Sequence, residues 1–331
     1  TGGLRYTIDK TTATAATQAV VFPAPNTPFA TCSAYPGRPA TSVDVCANRG
    51  TQESKRPTWL IGLDYKPNED ILLYAKYARG YRQGGADAGN SVVIRWGPEK
   101  VDSYEIGAKA SFSGAVSGYL NAAAFHNDFT NQQLAASLVP DGSNPAAAPA
   151  QAIVNAGTSR IQGVEIDAGV NPFEGMRLTA AYAYLDTKLK AYSAPPIPGY
   201  LPPNPSSQVG GALVFSPKHK ITISANYSLP LDESVGEVTF GATYTHTARQ
   251  LATAATLPQF QYLPSTDLLN LNLTWNNVAG SPVDLSLFAT NMTNEKYPNA
   301  AGGGYISQGS ETLILAEPRM YGARVRVRFG G

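Results

Sequence analysis

RMYGARVRVRF, residues 319–329, carries the cleanest two-residue alternation in the chain. Successive side chains of a β-strand point to opposite faces, so the apolar residues share one face and Arg324, Arg326 and Arg328 share the other. In a soluble sandwich the apolar face would be core and the arginines would meet water. In a transmembrane barrel the apolar face meets lipid and the arginines line a wet lumen.

The length of this strand fits a membrane. Tyr321 and Phe329 are eight residues apart, which is about 26 Å along a strand and about 20 Å in height at a tilt of about 40°. Outer-membrane barrels have an apolar band about 25 Å tall, bordered by aromatic side chains. The strand nearly spans such a band and has an aromatic residue at each end.

The composition suits a protein with little water-facing surface. Of its 331 residues 15% are charged, against about 25% in ordinary soluble domains. Tyr (18) outnumbers Phe (11), as expected where rings with a polar tip lie at a membrane interface. The net charge of +1 and the scattered basic residues predict no nucleic-acid partner. No run of about 18 apolar residues occurs, which excludes an ordinary transmembrane helix.

The alternation recurs along the chain and predicts an all-β fold of about twelve antiparallel strands. Short turns are predicted at residues 66–69, 113–115, 171–175, 230–234 and 280–282. Each strand sets an apolar face against one rich in Asn, Thr, Ser, Glu and Lys. The connections alternate between short and long, as in an outer-membrane barrel, and a soluble sandwich has no reason to sort its loops in this way.

Two connections are predicted to be irregular. Residues 10–55 follow a short strand and are expected to form a long loop, and the proline-dense residues 194–205 are expected to be an exposed, extended loop that cannot join a ladder. Cys32 and Cys46, the only cysteines, lie in the first loop. Their even number and loop context favour a disulfide, which needs an oxidising compartment; two free thiols are the alternative.

Several stretches together resemble the C-terminal part of a TonB-dependent outer-membrane receptor. They are LYAKYARGYRQGG (73–85), DSYEIGAK (102–109), LNAAAFHNDFTNQQ (120–133), NAGTSRIQGVEID (155–167), SPKHK (216–220), LFATNMTNEKY (287–297) and residues 318–329. Each is modest alone, but their order and spacing are specific. The resemblance covers nearly the whole chain from Thr58 onward.

The resemblance implies a transmembrane antiparallel β-barrel of about 22 strands around an N-terminal plug, in the bacterial outer membrane. Residues 1–331 would be the C-terminal part of that barrel, with about twelve strands, residues 10–55 as an extracellular loop and residues 319–329 as the terminal strand. The plug is absent from this sequence. An unpaired edge strand is not viable in lipid. We therefore expect the N-terminal half and the plug on a second polypeptide or on a longer form of this one.

The resemblance also implies partners and an activity. The partners are outer-membrane lipid and lipopolysaccharide, the TonB energy-coupling complex reached through the plug, and a small-molecule substrate. The activity is energy-coupled uptake of a scarce nutrient, such as a ferric siderophore or another large solute, without bond chemistry or a cofactor. The alternatives are a passive pore in which the twelve strands close alone, and a barrel phospholipase using a Ser/His pair at the lipid face, for which His246 is the only candidate.

Three polar residues are candidates for substrate contact: Arg82, Asn127 and Arg249. By parity they face the lumen near the exterior ends of strands, although generic lumen lining is the alternative. The terminal arginines are expected to pair with acidic residues of the plug or a neighbouring strand. No metal site is predicted, because His126, His219 and His246 lie far apart in sequence and lack metal-ligand spacing.

Overall fold

A computed structural model describes residues 1–16, 18–21, 29–32, 44–90, 92–144, 147–254, 256–302 and 309–329. Twelve strands form one sheet in which each pairs antiparallel with its neighbours in sequence. The strands are β1 (Gly2–Ala16), β2 (Ala47–Asn68), β3 (Ile71–Arg82), β4 (Glu99–Phe112), β5 (Ser117–Leu138), β6 (Ala150–Asn171), β7 (Met176–Tyr192), β8 (His219–Ser228), β9 (Glu237–Thr247), β10 (Thr266–Asn276), β11 (Val283–Thr290) and β12 (Met320–Val327). The predicted all-β fold is confirmed.

The connections sort by length onto the two ends of the sheet. Short turns join β2 to β3, β4 to β5, β6 to β7, β8 to β9 and β10 to β11, and the other connections are long. We call these the short-turn end and the long-loop end. Among the described residues, helices are limited to the 3-10 turns Asp44–Cys46, Pro258–Phe260 and Val278–Gly280. None of the described helices has the length and hydropathy needed to cross a membrane.

The two faces of the sheet differ in chemistry across all twelve strands. On the apolar face, Ile223, Leu271 and Val325 are 47%, 36% and 64% exposed. Their sequence neighbours Asn272 and Arg326 lie on the polar face, because side chains alternate along a strand. Cross-strand register joins the apolar residues into continuous rows, one of which runs Leu178, Ala225, Ala242, Leu271, Ala289 and Tyr321.

Buried apolar side chains lie at the long-loop end rather than at mid-strand. Among the described residues they belong to strand ends and loops, and the largest are Leu138, Leu189, Leu213, Leu251 and Leu263. The apolar face therefore packs against no second protein layer. This arrangement rules out the soluble-sandwich interpretation, in which that face would be the core.

The sheet is open. No ladder joins β1 to β12, both of which are fully described, so each leaves one edge unpaired. Unpaired backbone groups cost several kcal/mol each in a membrane, so further strands are needed for closure. The open sheet is at odds with the alternative in which these twelve strands close alone as a pore.

The predicted boundaries of the first long loop, residues 10–55, are wrong at both ends. β1 continues to Ala16 and β2 begins at Ala47, and Lys10 to Ala16 pair in register with Glu53 to Ala47. This part of the hairpin lies beyond the apolar residues of both strands, so it lacks the alternation on which the prediction relied. Residues 17, 22–28 and 33–43 of the predicted loop lie outside the described residues.

The prediction that the proline-dense residues 194–205 join no ladder is also wrong. Asn204–Pro205 pairs with Ser137 and Ala136 of β5, and Leu201 N donates to Val139 O at 2.9 Å. β4 pairs with β5 only up to Thr130, so the end of β5 beyond that residue has a free edge. A free edge accepts a proline-containing strand, because proline lacks only the N–H donor.

Cys32 and Cys46 are joined by a disulfide, with a Cα–Cα distance of 4.9 Å. Cys32 ends the short strand Phe29–Cys32, which pairs with Gln18–Val21, and Cys46 lies in the 3-10 turn that leads into β2. Both side chains are fully buried. The bond therefore ties the long connection between β1 and β2 to the start of β2.

The candidate functional site: the polar face and its long-loop rim

Charged side chains of the polar face take part in cross-strand hydrogen bonds on β3 to β6. Glu105 on β4 accepts hydrogen bonds from Tyr74 Oη at 2.9 Å and from Lys76 Nζ at 3.0 Å on β3. Asn121 Nδ2 on β5 donates to Asp167 Oδ1 on β6 at 3.2 Å. Register places these partners opposite or diagonal to each other, which is the arrangement in which cross-strand polar pairs stabilise a sheet.

A recess of about 400 Å³ opens in this charged wall. It is floored by small side chains and lined by Tyr74, Lys109, Asn121, Ala123, Glu165, Asp167, Ala181, Ala183, Lys220 and Thr222. Among the described residues, Lys109, Glu165 and Lys220 form no ion pair within the chain. These two ammonium groups and this carboxylate can therefore form ion pairs or hydrogen bonds with a polar partner that enters the recess.

The polar face of β8 to β10 is hydrophilic but mostly uncharged. Hydroxyl pairs cross between β8 and β9: Ser224 Oγ lies 3.0 Å from Thr243 Oγ1, and Ser228 Oγ lies 2.9 Å from Thr239 Oγ1. Asparagines continue this surface on β8 and β10, at positions 226, 270, 272 and 276. The polar face thus has a largely uncharged stretch on β8 to β10, with charged side chains on the strands to either side, such as Glu105 and Arg324.

Aromatic rings of the polar face lie over glycines on the adjacent strand. Four directly opposed pairs have this form: Tyr74 with Gly107, Tyr119 with Gly169, Phe125 with Gly163, and Phe288 with Gly322. In each pair the ring occupies the space that a Cβ on the glycine would need. The rings therefore lie along the wall.

Arg82, the first candidate for substrate contact, is held by an acidic partner. Its Nε lies 3.0 Å from Glu99 Oε1, and its own side chain is 58% exposed whereas that of Glu99 is 8% exposed. Glu99 Oε2 also accepts a hydrogen bond from Gln133 N at 2.7 Å. The sequence analysis missed Glu99, because its position at the start of β4 gives no sign that it would be buried.

Asn127 and Arg249 lie apart from Arg82. Asn127 is on the polar face of β5, opposite Ser103. Arg249 follows β9, and its guanidinium carbon lies 3.9 Å from the centroid of the Tyr262 ring, a cation–π contact. β3 and β9 are separated by five strands in the sheet. The structure therefore does not bring the three residues together.

The terminal arginines differ in their partners. Arg328 donates to Asp284 Oδ1 on β11 at 2.8 Å, which matches the expected pairing with a neighbouring strand. Arg324 and Arg326 are exposed on the polar face of β12 and form no ion pair with the described residues. They lie on the strand whose other edge is unpaired.

The histidines lie on the apolar face near the long-loop end. His246 Nδ1 lies 2.8 Å from Asp267 Oδ1, which also accepts a hydrogen bond from Tyr244 Oη at 2.5 Å. Among the described residues, no hydrogen bond joins His246 to a serine or threonine hydroxyl. The geometry thus lacks the Ser/His pair that a phospholipase needs. Within the described ranges, no three His, Cys, Asp or Glu side chains are grouped as metal ligands would be.

Comparison with known proteins identifies the family. The family described as "TonB dependent receptor-like, beta-barrel" matches residues 1–294. A curated relative, a probable TonB-dependent siderophore receptor, PiuA, of Acinetobacter baumannii, is 24% identical over 272 residues. That match covers 78% of this chain and 33% of the relative, so the chain spans about a third of its length.

Solved structures share the fold. The ferric yersiniabactin uptake receptor FyuA of Yersinia pestis superposes with a TM-score of 0.70 at 16% identity, covering 99% of this chain and 43% of FyuA. The siderophore receptor PiuA of A. baumannii gives a TM-score of 0.62 at 22% identity, covering 84% and 36% of the two chains. With the matched family and the two-faced open sheet, these likenesses assign the apolar face to lipid and the polar face to the lumen. The chain belongs to the TonB-dependent receptor family and forms part of its transmembrane β-barrel in the bacterial outer membrane.

Proposed function

We propose that this chain is the C-terminal wall of a transporter that takes up a scarce nutrient, such as a ferric siderophore or another large solute, with energy supplied through TonB. The observation that carries the proposal is the family match over residues 1–294. The siderophore receptors among the similar proteins support the substrate class. A protein of this kind moves its solute without making or breaking covalent bonds.

The open sheet supports the rest of the proposed assembly. Further strands pair with the free edges of β1 and β12, and a plug occupies the space next to the polar face and reaches the energy-coupling complex. The unpaired charges of Lys109, Glu165 and Lys220 at the recess suit contact with such a plug or with a passing solute, because a charge that loses water needs a partner.

Uptake should depend on both the receptor and the coupling complex. In iron-limited cells that carry the complete receptor, we expect accumulation of at least one radiolabelled ferric siderophore from a chemically varied panel. Deleting the receptor should abolish accumulation, and deleting TonB should abolish accumulation while leaving binding at the cell surface. Accumulation that is unchanged without TonB would instead identify a passive pore.

Asn127 and Arg249 are proposed to contact the solute at the rim. We expect Asn127→Ala and Arg249→Ala each to weaken surface binding of the transported chelate about tenfold, because a hydrogen bond to a charged group contributes about 1.5–3 kcal/mol. The matched controls are Asn276→Ala and Arg326→Ala, on the polar face nearer the short-turn end. Binding curves on whole cells should show the controls unchanged; equal losses in all four would contradict the assignment. Arg82 is proposed as a third contact, but Arg82→Ala would also leave Glu99 without its cation, so it is a less specific probe.

A further inference from the structure

The connection between β11 and β12 carries three consecutive apolar side chains that are exposed. Two short strands of this connection, Pro298–Ala301 and Leu313–Leu315, pair antiparallel, and we call them the edge hairpin. Leu313, Ile314 and Leu315 are 49%, 55% and 72% exposed. Because neighbouring side chains of a strand point to opposite faces, both faces of Leu313–Leu315 are open. Among the described residues, no strand pairs with its second edge.

Hydrogen bonds fix the edge hairpin to the ends of β11 and β12. The side chain of Asn291, which is buried, donates from Nδ2 to Glu295 O at 2.8 Å and to Glu317 O at 3.2 Å. The hairpin is closed at the same end by Ala316 N, which donates to Tyr297 O at 2.9 Å. The exposed apolar side chains therefore project from a framework that is held in place on both sides.

The edge hairpin lies outside the acyl chains. Two exposed charged residues, Glu317 and Arg319, separate it from Tyr321, the residue of the apolar face of β12 nearest the long-loop end. Charged side chains are disfavoured on a surface that meets lipid. The inner strand of the hairpin lies beside the short strand Tyr262–Leu263, which contributes a buried leucine to the long-loop end. Contact with lipid therefore does not account for the exposure of Leu313–Leu315.

The position of the edge hairpin indicates what covers it. Pro298–Ala301 is its inner strand, because it lies beside the connection between β9 and β10. Leu313–Leu315 leads into β12, the strand with an unpaired edge. This chain matches 33% of the related receptor PiuA, whose remaining length is ample for further strands. A strand that pairs with β12 brings its own long-loop connection next to Leu313–Leu315.

On the basis of the assembly proposed above, we propose that the long-loop connection of the strand that pairs with β12 docks on the edge hairpin and covers Leu313–Leu315. An extended segment can pair with an unpaired strand edge through its backbone and bury the flanking side chains. A contiguous apolar patch in water marks such a contact, whereas apolar residues that are exposed singly need no partner. The contact fastens the seam between the two parts of the barrel above the membrane.

Photochemical crosslinking in outer membranes that contain the complete receptor tests this contact. The photoreactive residue p-benzoylphenylalanine replaces Leu313 or Leu315 in separate variants, and mass spectrometry identifies the linked peptides. A third variant carries it at Val325 on the apolar face of β12, where it reports which strand lies beside β12. The matched control is Leu201, which is as exposed as Leu313 but lies in the connection between β7 and β8.

We expect Val325 to link to one strand of the receptor outside residues 1–331, and positions 313 and 315 to link to the segment that adjoins this strand in sequence. Leu201 should not link to that segment. If Val325 gave its link but positions 313 and 315 linked to the plug, to a second receptor copy or to nothing, the docking would be wrong and the assembly would stand. If Val325 linked to no other part of the receptor, the assembly and the docking would both be wrong.

A second measurement follows the docked segment by its susceptibility to protease added outside the cells. We expect Leu313→Ser with Leu315→Ser to raise the rate of cleavage in that segment on the order of tenfold, because the lost apolar burial favours local opening. The control, Leu201→Ser with Val209→Ser, removes two apolar side chains that are also exposed and should leave the rate unchanged. Heat-dependent migration shows that each barrel is folded. Equal cleavage rates in the parent and the folded variant would contradict the docking.

Discussion

Leu271→Arg is expected to abolish accumulation of the folded receptor in the outer membrane, and Asn272→Arg is expected to leave it near the parent level. Leu271 lies near the middle of β10 on the apolar face, between Ala242 and Ala289 of the adjacent strands. A guanidinium at this depth costs about 2–4 kcal/mol in lipid. Asn272, one residue along, points to the wet polar face, where the same charge stays hydrated.

The two variants differ only in which face receives the charge. Receptor accumulation is measured by blotting of outer-membrane fractions, and the folded fraction by heat-dependent migration. Urea unfolding in lipid vesicles gives the difference in free energy of unfolding. If Asn272→Arg were the damaging change and Leu271→Arg were tolerated, the lipid and lumen faces would be reversed and the membrane assignment of this sheet would be wrong.

Gly163→Ala is expected to destabilise the barrel by roughly 1–3 kcal/mol, the range observed for overpacking. An added Cβ would overlap the backbone carbonyl oxygen of Tyr184 and lie 3.0 Å from Phe125 Cζ. The ring could rotate away, but the carbonyl belongs to the adjacent strand and cannot move without disturbing its ladder. Phe125→Ala in the same chain should therefore restore only part of the lost stability.

Two other glycines serve as graded controls for this prediction. At Gly107 an added Cβ would meet only the side chain of Tyr74, and at Gly3 it would meet nothing within 4 Å. Urea unfolding should therefore rank the alanine variants with Gly163 worst, Gly107 intermediate and Gly3 indistinguishable from the parent. Equal effects at the three sites would show that the loss of stability does not come from the backbone contact.

The membrane-spanning part of the fold could be predicted from the sequence because lipid and water impose a strict period of two. Val325 against Arg326 and Leu271 against Asn272 are examples in which neighbouring letters reveal opposite environments. The alternation of short and long connections also indicates which end of each strand lies at the short-turn end of the sheet. Lipid on one face and water on the other determine the residue pattern more strongly than the intrinsic strand propensity of each residue does.

The extramembrane part could not be predicted in the same way. Above the apolar band both faces of a strand meet water or protein, so the pairing of residues 10–16 with 47–53 leaves no periodic signal. The pairing of Asn204–Pro205 with β5 depends on an edge that is free only because β4 ends earlier. Such pairings follow from strand lengths in three dimensions.

The sequence predicts which face of the sheet carries the candidate site. It does not predict which residues of that face contact one another. Parity assigns Asn127 to the polar face, but the partners of Arg82 and Arg249 come from distant positions, Glu99 and Tyr262, that no local pattern connects to them. The charges at the recess do leave a signal in the sequence. Lys109 and Glu165 stand at polar-face positions within two of the stretches that resemble the family.

The aromatic rings that lie over glycines have a consequence for what can pass. A ring that stood upright on the polar face would reduce the free calibre of the lumen by several ångströms. Because Gly107, Gly163, Gly169 and Gly322 have no side chain, the aromatic rings opposite them lie against the wall instead of projecting into the lumen. A side chain at any of these four positions would displace the opposite ring toward the lumen and narrow it.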